Sequence, residues 1–171
     1  MRAAGRTDAG RAALRAFHEA RRIVGLPRSK RHAIDHLLDL HAADPTLLFT
    51  ADTADAYEIS RTFLIPAITC ETDRGERKEI LRRFDAGIYR ALVSAKVLNE
   101  GIDVPSASVA VVVGGSGSPV EHAQRIGRVL RPLPGKIARV YELVIAGTGE
   151  MWASMRRNRS NVPESAPSLR P

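Results

Sequence analysis

Thr46-Leu47-Leu48-Phe49-Thr50 is the stretch on which the fold turns. It follows Asp44-Pro45 and is apolar at its three central positions. Without polar alternation it suits a strand buried on both faces, and such strands belong to parallel sheets covered by helices. Outward from it the pattern alternates. Residues 53–64 have helical spacing and end before Pro66, residues 67–70 read as a short strand, and 74–86 as a helix closed by Gly87. Residues 89–94 and 108–113 are two further strands. A helix over 119–131 follows a Gly/Ser loop, 139–145 is the last strand and 149–158 a final helix. Upstream, residues 8–24 carry an apolar stripe of Leu14, Phe17 and Val24, with Ala13 and Ala20, stopped by Gly25 and Pro27. A second helix runs from Ser29 as N-cap to about Ala43, with Ile34, Leu37, Leu38 and His41 on one side. Strands alternating with helices across short connections define an α/β fold: a three-layer parallel sheet with helices on both faces and an N-terminal helical lead-in. The expected organisation is a basic lead-in over 1–45, the sheet domain over 46–158, and a tail rich in Ser, Pro and Asn over 159–171.

The 171 residues, 44% of them hydrophobic, suffice for one domain with a core and leave no room for a second large one. Val109-Ala110-Val111-Val112-Val113 is far shorter than the roughly 20 apolar residues of a membrane span. The N-terminus is Arg-rich and shows no secretory signal. Cys70 is the single cysteine and has no internal partner, so the chain reads as a soluble domain of a reducing cytosol.

The net charge of +7 is unevenly placed. Residues 1–31 hold nine Arg and Lys against Asp8 and Glu19, while residues 32–171 hold seventeen of each sign. The basic arm suits contact with phosphates, through release of condensed counterions, and equally a solvated helix face built from good helix formers. Charge alone leaves both open.

In open parallel sheets ligands gather at the carboxyl ends of strands. Three segments fall there: residues 94–105, the loop Gly114-Gly115-Ser116-Gly117-Ser118, and the helix from Glu121 to Arg131. On that helix Gln124, Arg128 and Arg131 share a face, while Arg125 points about a quarter-turn away. One amide and two guanidinium forks suit phosphate oxygens, which Arg pairs bidentately; two surface arginines are the plain alternative. Gly127 inside a helix costs roughly 1 kcal/mol against Ala, which implies close backbone approach. His32 and His36 lack the following Glu of H-E-x-x-H, and a solvated face is the simpler reading. Cys70 reads as a small buried hydrophobe, and Trp152 as a cap on the core beside Arg156, Arg157 and Arg159, with base stacking as the alternative. Ser118 before Pro119 reads as a helix N-cap.

Gln124-Arg125-Ile126-Gly127-Arg128-Val129-Leu130-Arg131-Pro132 resembles motif VI of superfamily 2 helicases, Q-R-x-G-R-x-x-R. Val97-Leu98-Asn99-Glu100-Gly101-Ile102-Asp103-Val104-Pro105 resembles motif V, and Leu47-Leu48-Phe49-Thr50 resembles motif IV. Thr72-Asp73-Arg74-Gly75-Glu76-Arg77 followed by Phe84-Asp85-Ala86-Gly87 resembles the linking pattern in which an Arg opens a helix ending F-x-x-G. These motifs stand in family order, and their variants are most similar to the XPB-like and restriction-subunit-like branch of DNA helicases.

The resemblance implies the second of two RecA-like motor domains of a P-loop NTPase, with ATP in the cleft between them. Arg128 and Arg131 match the arginine fingers on the γ-phosphate, and Gln124 the glutamine beside the same phosphates. Glu100, Gly101 and Asp103 match motif V positions next to the nucleotide, where Asp103 accepts a ribose hydroxyl proton. Thr50, Ser94, Lys96 and Ser118 fall on the side that follows the nucleic-acid backbone. At Ala95 the chain departs from the pattern, which places a Thr on the backbone phosphate; Ser94 and Lys96 flank that position. No G-x-x-x-x-G-K-S/T loop and no D-E-x-H/D-type acidic pair occurs. The resemblance therefore assigns the ATP cradle and Mg²⁺ to a Walker-motif domain in cis or in trans. The expectation is one half of an ATP-dependent DNA motor (a fragment, a split gene product or a separate subunit) that is inactive as an ATPase alone. The half of an RNA helicase, or a non-catalytic nucleic-acid or protein-binding module, are the rival readings.

Overall fold

In the computed structural model the described residues are 7–95, 104, 106–114, 127 and 137–159. Two helices lead: α1 (Asp8–Gly25) and α2 (Arg28–Leu40). The sheet domain continues with β1 (Thr46–Thr50), α3 (Thr53–Phe63), β2 (Ala67–Ile68), α4 (Arg74–Asp85), β3 (Ala91–Ala95) and β4 (Val109–Val112). Two elements close the described fold, β5 (Arg139–Glu142) and a helix over Gly149–Arg159, here α5. The strands form one sheet in the order β2-β3-β1-β4-β5, every described pair parallel. The expected α/β architecture is the one observed.

β1 lies at the centre, buried at all five positions, with Thr46 opposite Ala91 on one side and Val109 on the other. Its alternate residues feed two cores. Leu47 and Phe49 join Leu92, Ala110 and Val112 against Ile80 and Phe84 of α4. Leu48 joins Val93, Val109 and Val111 against Ile34 and Leu37 of α2 and Ala56 and Ile59 of α3. Both faces are therefore covered, which explains why the strand sequence shows no polar alternation.

Side chains start the helices as local chemistry dictates. Thr7 accepts from Gly10 N at 3.1 Å, Asp52 from Asp55 N at 2.9 Å and Asp73 from Gly75 N at 2.7 Å. Ser29 is not the cap expected for α2. Pro27, extended at ψ 167°, holds that position and leaves Ser29 in the first turn. The helix also ends at Leu40, short of Ala43, because His41 turns its ring to Asp44 and to the Tyr141 hydroxyl, each at 2.8 Å.

Candidate functional site

The carboxyl edge of the sheet is defined by Thr50 of β1, Thr69 after β2, Ala95 of β3 and Val113-Gly114 after β4. Strand register sets Ser94 between Phe49 and Ile68, and Thr50 beside Ala95. Thr50 and Ser94 are each 1% exposed. The Thr50 hydroxyl donates to Asp52 O at 2.8 Å and so holds the turn into α3. Ser94 Oγ has no hydrogen-bond partner among the described residues. A buried hydroxyl left unpaired is costly, and such a group at a strand end is where an incoming acceptor gains most.

Beside them lies a polar corner that sequence reading missed. Thr69 is fully buried; its Oγ1 accepts from Glu71 N at 3.2 Å and lies 3.1 Å from the Tyr57 hydroxyl, which donates to Glu71 Oε2 at 2.9 Å. Thr72 Oγ1 accepts from Thr69 N at 2.9 Å, and Arg77 donates to Thr69 O at 3.3 Å. β2 ends at Ile68, so Cys70 falls in the turn closed by Thr72 N and Thr69 O. It is exposed there, not the buried hydrophobe expected.

A second cluster lies at the ends of β1 and β4. Lys30, 2% exposed, donates to Gly25 O at 3.2 Å, Val113 O at 2.7 Å and Glu150 Oε1 at 2.7 Å. Glu150 Oε2 accepts from Ile145 N at 3.1 Å. Asp55 sits nearby, 7% exposed, its pKa raised from 3.8 to about 6. Burial is the main cause, reinforced by Asp52 and Glu58 and opposed by Lys30. A signal for Lys30 exists in the sequence: Lys30, Ile34 and Leu37 stand at i, i+4 and i+7, so the lysine belongs to the buried stripe of α2. The adjoining cleft between Gly114, Leu143 and Glu150 has a volume of about 30 Å³, room for water rather than for a nucleotide.

Of the expected site residues, Lys96, Glu100, Gly101, Asp103, Ser118, Gln124, Arg128 and Arg131 lie outside the described residues, as does the expected helix over 119–131. Gly127 is described, exposed and helical, and among the described residues a Cβ there meets nothing within 4 Å. None of the described residues demands a glycine at that point. His32 and His36 are exposed on α2. Trp152, expected to cap the core, is 63% exposed instead. Glu150 turns one side of α5 toward Lys30, and a residue two positions further on points away from it.

A parallel five-stranded sheet with helices on both faces and a polar carboxyl edge is the doubly wound α/β architecture that RecA-like domains share. The fold matches the Escherichia coli DEAD-box protein SrmB, bound to the regulator RraA, with a TM-score of 0.68 at 24% identity, over 77% of this chain and 78% of that one. It also matches the C-terminal domain of the DEAD-box protein Dbp5 with a TM-score of 0.66 at 18% identity, over 82% and 83%. The model of the family "Helicase conserved C-terminal domain" matches residues 29–132. The chain belongs to that family, in its XPB-like branch. It is similar to the DNA 3'-5' translocase XPB2 of Sulfurisphaera tokodaii, 41% identical over 92% of this chain and 36% of the relative. The DNA 3'-5' helicase XPB of Kineococcus radiotolerans is 36% identical over 82% and 26%. The chain thus spans about a third of the length of these curated relatives. No helix among the described residues is long and apolar enough to cross a membrane.

Proposed function

We propose that this chain is the second motor domain of an ATP-dependent DNA translocase or helicase and works against a first domain that carries the Walker motifs. The observation that carries this reading is the 41% identity, over nearly the whole chain, to a relative named as a DNA translocase. That name favours DNA over RNA; the DEAD-box likenesses concern the fold alone. In this reading Arg128 and Arg131 neutralise the charge that builds on the transferring phosphoryl group, and Gln124 orients the same oxygens. Glu100, Gly101 and Asp103 line the nucleotide, with Asp103 accepting from a ribose hydroxyl. Thr50, Ser94, Lys96 and Ser118 lie along the nucleic-acid backbone, with the unpaired Ser94 hydroxyl ready to donate to a phosphate oxygen.

In this reading magnesium is held by the Walker-bearing partner domain. When bound there, the ion would offset charge on the phosphates. This chain's part is to present cations from the opposite wall as the two domains close. A single cysteine, with no second one in the sequence to pair with, supports a cytoplasmic setting.

The test is DNA-stimulated ATP turnover by the chain alone and mixed with a Walker-bearing domain of the same source. Turnover is expected in the mixture only, with Arg128→Ala and Arg131→Ala each lowering it by about 10³-fold or more. Turnover by the chain alone, or a mixture indifferent to both substitutions, overturns the reading.

A further inference from the structure

Lys30 is 2% exposed, and each hydrogen of its ammonium has an acceptor on a different element. Gly25 O ends α1, Val113 O follows β4, and Glu150 lies in the first turn of α5. Through Glu150 the same point reaches Ile145 N, three residues beyond the end of β5. A lysine this deep is a poor way to fill space even with Glu150 a quarter exposed, since an apolar side chain of similar volume avoids the desolvation cost. What the ammonium supplies, and a methionine does not, is a set of fixed directions to three acceptors.

Val113 is where those directions matter. Its N–H and that of Gly114 donate to Phe49 O at 2.9 and 3.3 Å, so β4 is held to β1 from one side. Its carbonyl is held by Lys30 from the other. Gly114 is pressed on Ala51, where a Cβ would come within 3.3 Å of the alanine's own. From this clamped end the chain runs on to Gln124, Arg128 and Arg131. Groups that meet a transferring phosphoryl need placement within about 0.5 Å, and a misplacement of about 1 Å costs up to roughly 100-fold in rate.

We propose that Lys30, acting through Val113 O and Glu150, is a positioning residue for the nucleotide cleft: it fixes the strand end that feeds the arginine segment and touches no substrate itself. The proposal rests on the role given above to Arg128 and Arg131.

Two readouts test it, in Lys30→Met, in the milder Glu150→Gln and in Arg31→Ala. The last removes the neighbouring surface pair with Glu58 and serves as control. In the full chain alone, amide exchange at Val113, Gly114 and Ile145 is expected to rise about tenfold in Lys30→Met, with β3 and α4 unchanged. In the mixture with the Walker-bearing domain, kcat is expected to fall about tenfold or more at a KM for ATP within about twofold of the parent. Glu150→Gln falls between, and Arg31→Ala matches the parent. Exchange that rises equally in every strand would make Lys30 a prop of the whole fold and overturn the positioning role. If Lys30→Met does not fold, Glu150→Gln decides by the same two readouts. Parental kcat in Lys30→Met, where Arg128→Ala is inactive, sinks this proposal alone. Parental kcat in Arg128→Ala removes the reading of the cleft, and this proposal with it.

Discussion

Asp55 stands within the field of Asp52, Glu58 and Glu150, and the ammonium of Lys30 does not offset them together with burial: its pKa rises to about 6. The folded chain therefore binds this proton more readily than the unfolded chain, whose value is 3.8. Through this group stability grows as pH falls from above 6 towards 3.8, and the penalty of the ionised form is fully present above 6. That penalty is on the order of 2–3 kcal/mol. Asp55→Asn is accordingly expected to stabilise the chain by about 2 kcal/mol at neutral pH and above, the gain vanishing by about pH 4. Urea denaturation across that range reads it directly, and a gain that stays flat with pH would show that charge is not its cause. Glu79 works in the opposite sense. Hydrogen bonds from Arg82 and Arg83 hold it down to about 2, so what it contributes is present above its ordinary value and is lost as pH falls through about 2. Gly25 marks how tightly Asp55 is enclosed, since a Cβ there would lie 2.8 Å from Asp55 Oδ2. Gly25→Ala is expected to cost about 1–3 kcal/mol by thermal denaturation, and about half of that in an Asp55→Ala background, where the clash is relieved.

At the scale of elements, α3 and α4 end in the same way with different residues. After α4, Gly87 has φ 71°, its N–H donates to Phe84 O at 3.0 Å, and Ile88 N donates to Arg83 O at 2.9 Å. After α3, Leu64 takes the left-handed position at φ 53°, and Ile65 N donates to Ser60 O at 3.2 Å. Glycine adopts that backbone freely, while leucine pays a steric cost of roughly 1 kcal/mol. Leu64 is 90% exposed, so little packing offsets the cost. Leu64→Gly is expected to raise stability by about 0.5–1 kcal/mol and Gly87→Ala to lower it by about 1 kcal/mol, both read from denaturation midpoints. The same contrast explains what was legible beforehand. Gly87 announces its helix end and was read correctly, whereas Leu64 announces nothing. The strands were legible because burial on both faces erases polar alternation in β1, β3 and β4. Cys70 and Trp152 were misread because their exposure depends on where β2 stops and on which side of α5 meets Lys30. Two of the three partners of Lys30 escaped notice because they are 83 and 120 residues away, beyond the reach of any local pattern.

At the scale of the whole molecule, the core around β1, β3 and β4 closes on this chain's own helices, while β5 stays part-exposed among the described residues. On the function proposed above, the nucleotide chemistry does not close in the same way. Guanidinium groups neutralise phosphate charge, but nothing in the sequence supplies the glycine-rich loop and lysine that cradle it. Binding to the folded chain raises stability by RT ln(1 + [L]/Kd), so a half-site with Kd above about 10 mM adds only about 0.1 kcal/mol in 2 mM ATP. For a domain of this size such an increment moves the melting temperature by well under about 1 °C. The expected result for the chain alone, scanned with and without about 2 mM ATP and magnesium, is therefore one cooperative transition at an unchanged temperature. Adding the Walker-bearing domain should make the transition nucleotide-dependent, because ATP then joins two walls whose separate affinities are small. A rise of several degrees in the chain by itself would locate a complete phosphate cradle within these 171 residues and contradict the division of labour proposed above.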